Sequence, residues 1–430
     1  MNIFLLLVLI SEAVLLFLLE KKMWRTGCTP LNFLMLPYVA VLGVTLLLSG
    51  HLGLDEFYYP SLIPWIIGLP LFAIPGWLFF WAERRFAAGN IKGDPWEITA
   101  CGISQNGNLD YPRKAYRFEI ILAVAILITL SVRLIIFLAQ GYGMIGNEAF
   151  GKLFAGKGWA GHLLLVSTAL LMLLLFDNRR WFTWMIVAFI LFFLFVYQVK
   201  SWIILPLLAV FFALWITQRI RLNLRRVFYV GAGVTVVFFA SYLLIYLAGN
   251  RFFPEATSLG AQLKAISGLF VHYLTSGTLG LSTDMQQGIL EEPSLQHIFT
   301  PFYNFWYTVT GQPMIAGINE EFLYTGIART NVRGFFGTLF VFTRPAGFAL
   351  CCLLFGTGCQ LFFRWFRRYQ NTCSTLLYAW TCTVLFMGWF DFLPYLSNVF
   401  EIPFWILAIT SVQRFFIKSD KIKRWISSRS

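Results

Sequence analysis

Charged residues are scarce in this chain of 430 residues, because Asp, Glu, Lys and Arg together make up only 12% of it. Soluble domains carry about 25% charged residues, so the composition excludes a water-soluble globular protein. Hydrophobic residues reach 58% and aromatic residues 18%, which is typical of lipid contact and interfacial anchoring. These figures also exclude a disordered chain and a coiled coil. The composition therefore indicates one polytopic membrane domain.

Signatures of soluble catalysis are also absent from the sequence. It contains no P-loop, no Gly-x-Ser-x-Gly, no His-Glu-x-x-His and no Cys-x-x-Cys. The seven cysteines are scattered, so core packing is their expected role and a metal or redox role is disfavoured. We therefore expect neither a metal nor a cofactor.

Long apolar stretches occupy most of the chain. A helix of about 20 apolar residues crosses a bilayer. Eleven such stretches lie at about 3–19, 31–50, 61–82, 118–139, 160–176, 181–197, 201–217, 227–247, 335–361, 374–392 and 396–413. The sequence thus predicts an all-α polytopic membrane protein with about 11 transmembrane helices.

The positions of the basic residues predict the orientation. Most Lys and Arg residues lie in every second connection between the apolar stretches, and such residues favour the cytoplasmic side of a membrane. The formal net charge of +13 is explained in this way, so we expect no nucleic-acid partner. The N-terminus is then expected outside and the C-terminus in the cytoplasm, as an odd number of spans requires.

One outward connection is much longer than the others. Residues 248–334 separate residues 1–247, which hold spans 1–8, from residues 335–430, which hold spans 9–11 and a basic tail. Apolar residues recur at helical spacing in 257–275 and predict an amphipathic helix on the bundle or in the outer interface. Long structured loops tend to be functional. A helix that merely caps the membrane domain would show the same pattern.

Six cations are expected at the outer half of the membrane, where the topology predicts few. They are Arg133, Lys200, Arg251, Arg329, Arg333 and Arg344. A charge at bilayer depth costs about 2.5–3.5 kcal/mol on insertion scales, so each cation should face a cavity or a partner. One use is an anionic head group, since guanidinium groups bind phosphate in bidentate geometry. Snorkelling to lipid phosphate or pairing with nearby carboxylates is the alternative.

Candidate general bases lie in the same long connection. His272, on the predicted amphipathic helix, is the first choice, because imidazole readily takes a proton from an alcohol. Glu320 and Glu321 follow, because they lie close in sequence to two of the arginines. A structural role is the alternative for a lone histidine.

Three short motifs resemble a known family. Residues 329–339 (RTNVRGFFGTL) are similar to the Asn-Val signature before a late span in the bacterial O-antigen or capsular oligosaccharide repeat-unit polymerases. Residues 197–202 are similar to the Gly-Ser-Arg turn of that family, and residues 272–277 to the Tyr-rich helix of its long loop. The sequence departs from the family at Lys200, where Arg is usual, and at Arg344, where an acidic residue is common.

The resemblance implies a metal-independent, GT-C-like membrane glycosyltransferase at the periplasmic face of a bacterial inner membrane. An acceptor sugar hydroxyl would attack an undecaprenyl-diphosphate-linked oligosaccharide, and repeat units would be polymerised into O-antigen or capsule. Arg251, Arg329, Arg333 and Lys200 would hold the diphosphate. The implied sugar-binding residues are Asn331, Tyr303, Trp306, Tyr307 and Tyr324. For the aromatic residues, interfacial anchoring is the alternative.

The expected partners are the lipid-linked oligosaccharide, membrane lipids, a flippase and a chain-length regulator. Three other functions stay open. A related ligase would move a finished glycan onto a lipid A core. A lipid-linked oligosaccharide flippase would show inverted repeats, and no second half mirrors the prolines at 64, 70 and 75. A structural subunit of an envelope-glycan assembly is the third.

Overall fold

The computed structural model describes residues 2–87, 113–141, 154, 158–177, 181–196, 200–247, 258–288, 294–315, 317–318 and 322–427. Its helices are α1 (Asn2–Trp24), α2 (Pro30–Leu48), α3 (Ile63–Ala87), α4 (Arg113–Ala139), α5 (Trp159–Asp177), α6 (Trp181–Val196), α7 (Lys200–Ile216), α8 (Leu224–Leu247), α9 (Leu259–Gln287), α10 (Leu295–Ile298), α11 (Thr300–Thr310), α12 (Phe335–Tyr369), α13 (Thr372–Phe386) and α14 (Ser397–Ser427). Two short strands, β1 (Leu323–Tyr324) and β2 (Arg329–Thr330), form a hairpin.

The helices confirm the prediction of an all-α membrane protein that crosses the bilayer several times. Each predicted apolar stretch coincides with a helix. Six helices in the described part of the chain are long and apolar enough to span: Ile3–Trp24, Pro30–Leu48, Tyr59–Arg85, Tyr116–Ala139, Trp159–Phe176 and Phe335–Tyr369. The total of eleven spans stays a prediction, because α6 and α7 are apolar but shorter, and α8, α13 and α14 are not among the six.

The chain divides into two units, each built from separate stretches of sequence. Unit one comprises Met1–Gly102, Phe253–Arg368 and Thr381–Val399. Unit two comprises Ile103–Phe252, Tyr369–Trp380 and Phe400–Ser430. The predicted segments 1–247, 248–334 and 335–430 follow one another along the chain, whereas each unit combines stretches that are distant in sequence.

Helix α9 is the main element that the long connection contributes to unit one. It begins after Ser258, whose hydroxyl accepts a hydrogen bond from the Ala261 backbone N–H (3.2 Å), and it ends at Gly288 in the left-handed conformation. It extends twelve residues beyond the predicted end at 275. Apart from Leu279 and Leu281, residues 275–284 are small or polar, yet all ten are buried. Tertiary packing here outweighs their weak helix propensity.

Close backbone packing explains a glycine in this buried half of α9. A Cβ atom at Gly280 would lie 2.1 Å from the carbonyl oxygen of Val332. The hydroxyls of Thr278 and Thr45 hydrogen-bond at 3.0 Å and join α9 to the transmembrane helix α2. The C-terminal half of α9 is therefore held between α2 and the segment that follows β2.

Helix α12 is broken at Arg344, within the predicted span 335–361. Arg344 has φ 55° and ψ 177°, a conformation that costs a non-glycine residue about 1–3 kcal/mol, and it precedes Pro345, which disfavours a helical conformation before it. Residues 335–343 form a short helix that is almost wholly buried. The Ser294 backbone N–H donates to the Phe342 carbonyl oxygen at 2.9 Å, so a partner outside the helix satisfies this acceptor near the break.

Unit two is organised around α5. In the most apolar 18-residue stretch of α5, 72% of the stretch is buried, whereas in the corresponding stretch of α4 only 28% is buried. The buried Glu119 of α4 accepts a hydrogen bond from the side-chain amide of Gln413 in α14 at 2.7 Å. This hydrogen bond joins α4 to α14 within the unit.

Candidate functional site

The hairpin of residues 323–330 carries one of the predicted cations, Arg329, and one of the predicted sugar-binding residues, Tyr324. The Thr325 backbone N–H and hydroxyl both donate to the Ala328 carbonyl oxygen, at 3.1 and 3.2 Å. Gly326 has φ 91°, and a Cβ atom there would lie 2.1 Å from the Gly53 carbonyl oxygen. The Asp55 backbone N–H donates to the Thr325 carbonyl oxygen at 3.4 Å. The turn therefore packs closely against the loop before α3, and these contacts fix the position of the hairpin.

The pairing of the two strands brings together two of the predicted binding residues. Tyr324 lies directly opposite Arg329, and Leu323 lies opposite Thr330. Side chains of opposed residues project from the same face, with Cβ atoms about 4.5–5.5 Å apart. Tyr324 is 60% exposed and Arg329 is exposed, whereas Thr330 is buried. One face of the hairpin therefore presents a phenol ring beside a guanidinium group.

His272 of α9 lies beneath this hairpin. Its Nδ1 is 3.4 Å from the Thr325 hydroxyl, and its ring hydrogen-bonds the backbone of Arg329. Only 4% of the residue is exposed. Burial lowers the pKa of His272, and the hydrogen bond to Arg329 opposes this only in part, so the neutral form of the imidazole is favoured. His272 thus contacts both sides of the turn that carries Arg329.

Arg333 is enclosed, unlike Arg329. Its Nε donates to the carboxylate of Asp284, and the two residues are 2% and 0% exposed. The guanidinium carbon also lies 5.6 Å from the centre of the Phe342 ring. A buried charge needs such a partner, because removing one member of a buried pair costs about 3–5 kcal/mol. In this conformation Arg333 ties the segment after β2 to α9.

The other predicted cations lie elsewhere. Arg344 is exposed at the break in α12, in unit one. Arg133 belongs to unit two, where its Nε donates to the Phe154 carbonyl oxygen at 2.9 Å and its guanidinium lies 4.9 Å from the Trp159 ring. Lys200 is the first residue of α7, and the structure does not describe its side chain. Arg251 lies outside the described residues, as do the candidate bases Glu320 and Glu321.

The predicted sugar-binding residues fall into separate groups. Tyr303 and Tyr307 lie one turn apart on α11, half-buried, with ring centres 6.2 Å apart. Trp306 is 60% exposed and lies on an apolar face of the same helix. The other members of that face are Phe302, Phe305 and Val309. Asn331 is half-buried just after β2. Of the five predicted sugar-binding residues, only Tyr324 lies directly opposite a predicted cation.

Sequence reasoning missed the hairpin and the role of Asp284. The turn had a local signal, because Gly326 stands between two short stretches of strand-forming residues. Asp284 and Arg333 are 49 positions apart and no local pattern links them. In the described part of the chain, no three His, Cys, Asp or Glu side chains are grouped as a metal site requires.

The apolar helices define a multi-pass, α-helical membrane protein, and the hairpin of its unit one carries an exposed tyrosine directly opposite an exposed arginine. The chain belongs to a family of unknown function, DUF6337, whose model matches residues 53–419. No curated protein matches the chain, and no solved structure matches it.

Proposed function

We propose that this protein is a membrane glycosyltransferase that polymerises lipid-diphosphate-linked oligosaccharide repeat units. The observation that carries the proposal is the pairing of Tyr324 with Arg329 on one exposed hairpin face. An aromatic ring stacks on the apolar face of a sugar, and a guanidinium group forms charge-assisted hydrogen bonds to phosphate. A glycosyl diphosphate presents these two groups side by side.

The reaction requires charge stabilisation on the leaving group. The acceptor hydroxyl oxygen bonds to the anomeric carbon, the bond from that carbon to the diphosphate breaks, and the lipid diphosphate leaves with the electron pair. Arg329 stabilises the charge that develops on the diphosphate. The hydroxyl proton passes to a base, for which a neutral imidazole or a carboxylate is suited. His272 underlies the hairpin, and Glu320 and Glu321 precede β1 in the sequence.

The finer topology belongs to the same proposal. Eleven spans in a GT-C-like arrangement place residues 248–334 in the periplasm, with the N-terminus there and the C-terminus in the cytoplasm of a bacterial inner membrane. This placement is supported by the basic residues, which are concentrated in the other set of connections. A flippase then delivers the substrate to the hairpin side, and a chain-length regulator limits the product.

Deletion of the gene and complementation test the function in cells. We expect deletion to abolish the ladder of surface-glycan lengths on a gel, and wild-type protein to restore it. Arg329→Ala should extend chains about 100-fold more slowly, as the loss of a preorganised charge-stabilising group typically does. Lys264→Ala is the matched control, because Lys264 is also an exposed cation of unit one, on α9.

The form of the product separates the alternatives. A ladder that depends on Arg329 and not on Lys264 supports a polymerase. Transfer of a single block to a lipid A core indicates a ligase instead. An unchanged glycan after deletion, or normal ladders from Arg329→Ala at equal protein level, refutes the proposal.

A further inference from the structure

A groove in unit two lies between the first turns of α4 and α6, away from any residue assigned above. Its volume is about 500 Å³, and its lining residues are Tyr116, Arg117, Ile120, Ile121, Trp181 and Phe182. The hydroxyls of Tyr116 and Thr183 are 3.1 Å apart and join the two helices beside it. The groove therefore lies between two helices that a side-chain hydrogen bond links.

The walls of this groove are apolar and face outward. Trp181 is 74% exposed, Ile121 is 67% exposed and Phe182 is 40% exposed. Arg117 is exposed as well. It lies one helical turn before Ile121 on α4, so both side chains share a face. The groove thus places one cation at the end of an apolar strip, which is the layout of a lipid head group and its acyl chain.

Arg117 is the charged residue among those that line the groove. In the sequence, Arg113 and Lys114 lie within four positions of Arg117, and Arg179 and Arg180 directly precede Trp181. Glu119, the acid nearest to Arg117 in the sequence, is buried and hydrogen-bonded to Gln413. Basic pockets between spans at the cytoplasmic side favour anionic lipid head groups, and tryptophan favours the depth of the head groups.

We propose that this groove binds an acidic glycerophospholipid of the surrounding membrane, with the phosphate at Arg117 and an acyl chain on Ile121, Trp181 and Phe182. The positive charge selects an anionic lipid over a zwitterionic one of the same chain length. A guanidinium group adds bidentate hydrogen bonds to the phosphate. The site shares no residue with the hairpin, and it rests on the proposed orientation, which places these helix ends at the cytoplasmic side.

Native mass spectrometry of the full-length protein in detergent tests this site, with phosphatidylglycerol and phosphatidylcholine of matched chains as probes. We expect at least one phosphatidylglycerol to be retained at concentrations where phosphatidylcholine is not. Arg117→Gln should weaken phosphatidylglycerol binding about tenfold, the effect of losing one charge-assisted contact. Trp181→Ala should weaken the binding of that lipid by removing an apolar wall.

Two matched variants control for general effects on charge and packing. Arg225→Gln removes an exposed arginine from the first turn of α8, and Trp184→Ala removes a 56% exposed tryptophan one turn along α6. Neither residue lines the groove, so both variants should bind like the wild type. Equal retention of the two lipids, or equal loss in Arg117→Gln and Arg225→Gln, overturns the proposal. Arg117→Lys, which keeps the charge, should retain the preference for phosphatidylglycerol if Arg117→Gln fails to fold.

Discussion

Two arginines four positions apart have opposite environments. Arg329 is exposed on the hairpin, whereas Arg333 is buried against Asp284. The sequence predicted a shared diphosphate-binding role for both, and that role stays a prediction. These environments suggest different roles for the two arginines. Arg333, which is paired inside the protein, is suited to holding a segment in place. Arg329 is the residue of the two that solvent and a ligand can reach.

His272 predicts a pH dependence of folding stability. Burial lowers its pKa in the folded protein, while in the unfolded chain the value is about 6.5. As pH falls through about 6.5, the unfolded chain takes up a proton that the folded protein does not, so stability decreases. The contribution of His272 should therefore lower the melting temperature in detergent as pH falls from about 7.5 to about 5.5.

Replacement of His272 should reduce this dependence. His272→Gln removes the titrating group, so its melting temperature should change less over the same pH range. His51→Gln is the control, because His51 is exposed in the loop before α3, and it should retain the wild-type slope. Identical slopes for His272→Gln and the wild type would show that this imidazole does not carry the effect.

At the scale of elements, α9 differs most from its prediction. Amphipathic spacing predicted a helix over 257–275, and the structure continues it to Gln287. The added part has no amphipathic face, because residues 275–284 are buried all round. Small side chains there allow α2 and the segment after β2 to approach closely. A helix that is buried on every side has no amphipathic periodicity, so the hydrophobic pattern of the sequence does not predict it.

Substitution of Gly280 should disrupt this packing. A methyl group at position 280 would overlap the Val332 carbonyl oxygen, which belongs to the backbone and cannot rotate away. We expect Gly280→Ala to lower the melting temperature in detergent. Gly268→Ala on the same helix meets nothing within 4 Å and should be neutral or stabilising by up to about 1 kcal/mol. Equal behaviour of the two variants would contradict the close contact.

At the scale of the whole molecule, the proposed orientation predicts which side of the membrane each exposed residue faces. Tyr324→Cys on the hairpin should react with a membrane-impermeant maleimide in right-side-out vesicles. Arg225→Cys, which is exposed at the beginning of α8, should react only after permeabilisation. The wild type gives the background from native cysteines. The reverse pattern would place residues 248–334 in the cytoplasm and remove the periplasmic site.

The sequence by itself determined the membrane class and the positions of the long apolar helices. An apolar segment of about 20 residues must satisfy its backbone hydrogen bonds internally in lipid, so composition alone favours a helix there. Only the tertiary structure decided that Arg333 is paired with Asp284 and that Tyr324 faces Arg329. The ion pair joins residues 49 positions apart, and strands of two residues have too few side chains to specify their register. Such contacts depend on how distant parts of the chain pack, which local sequence does not encode.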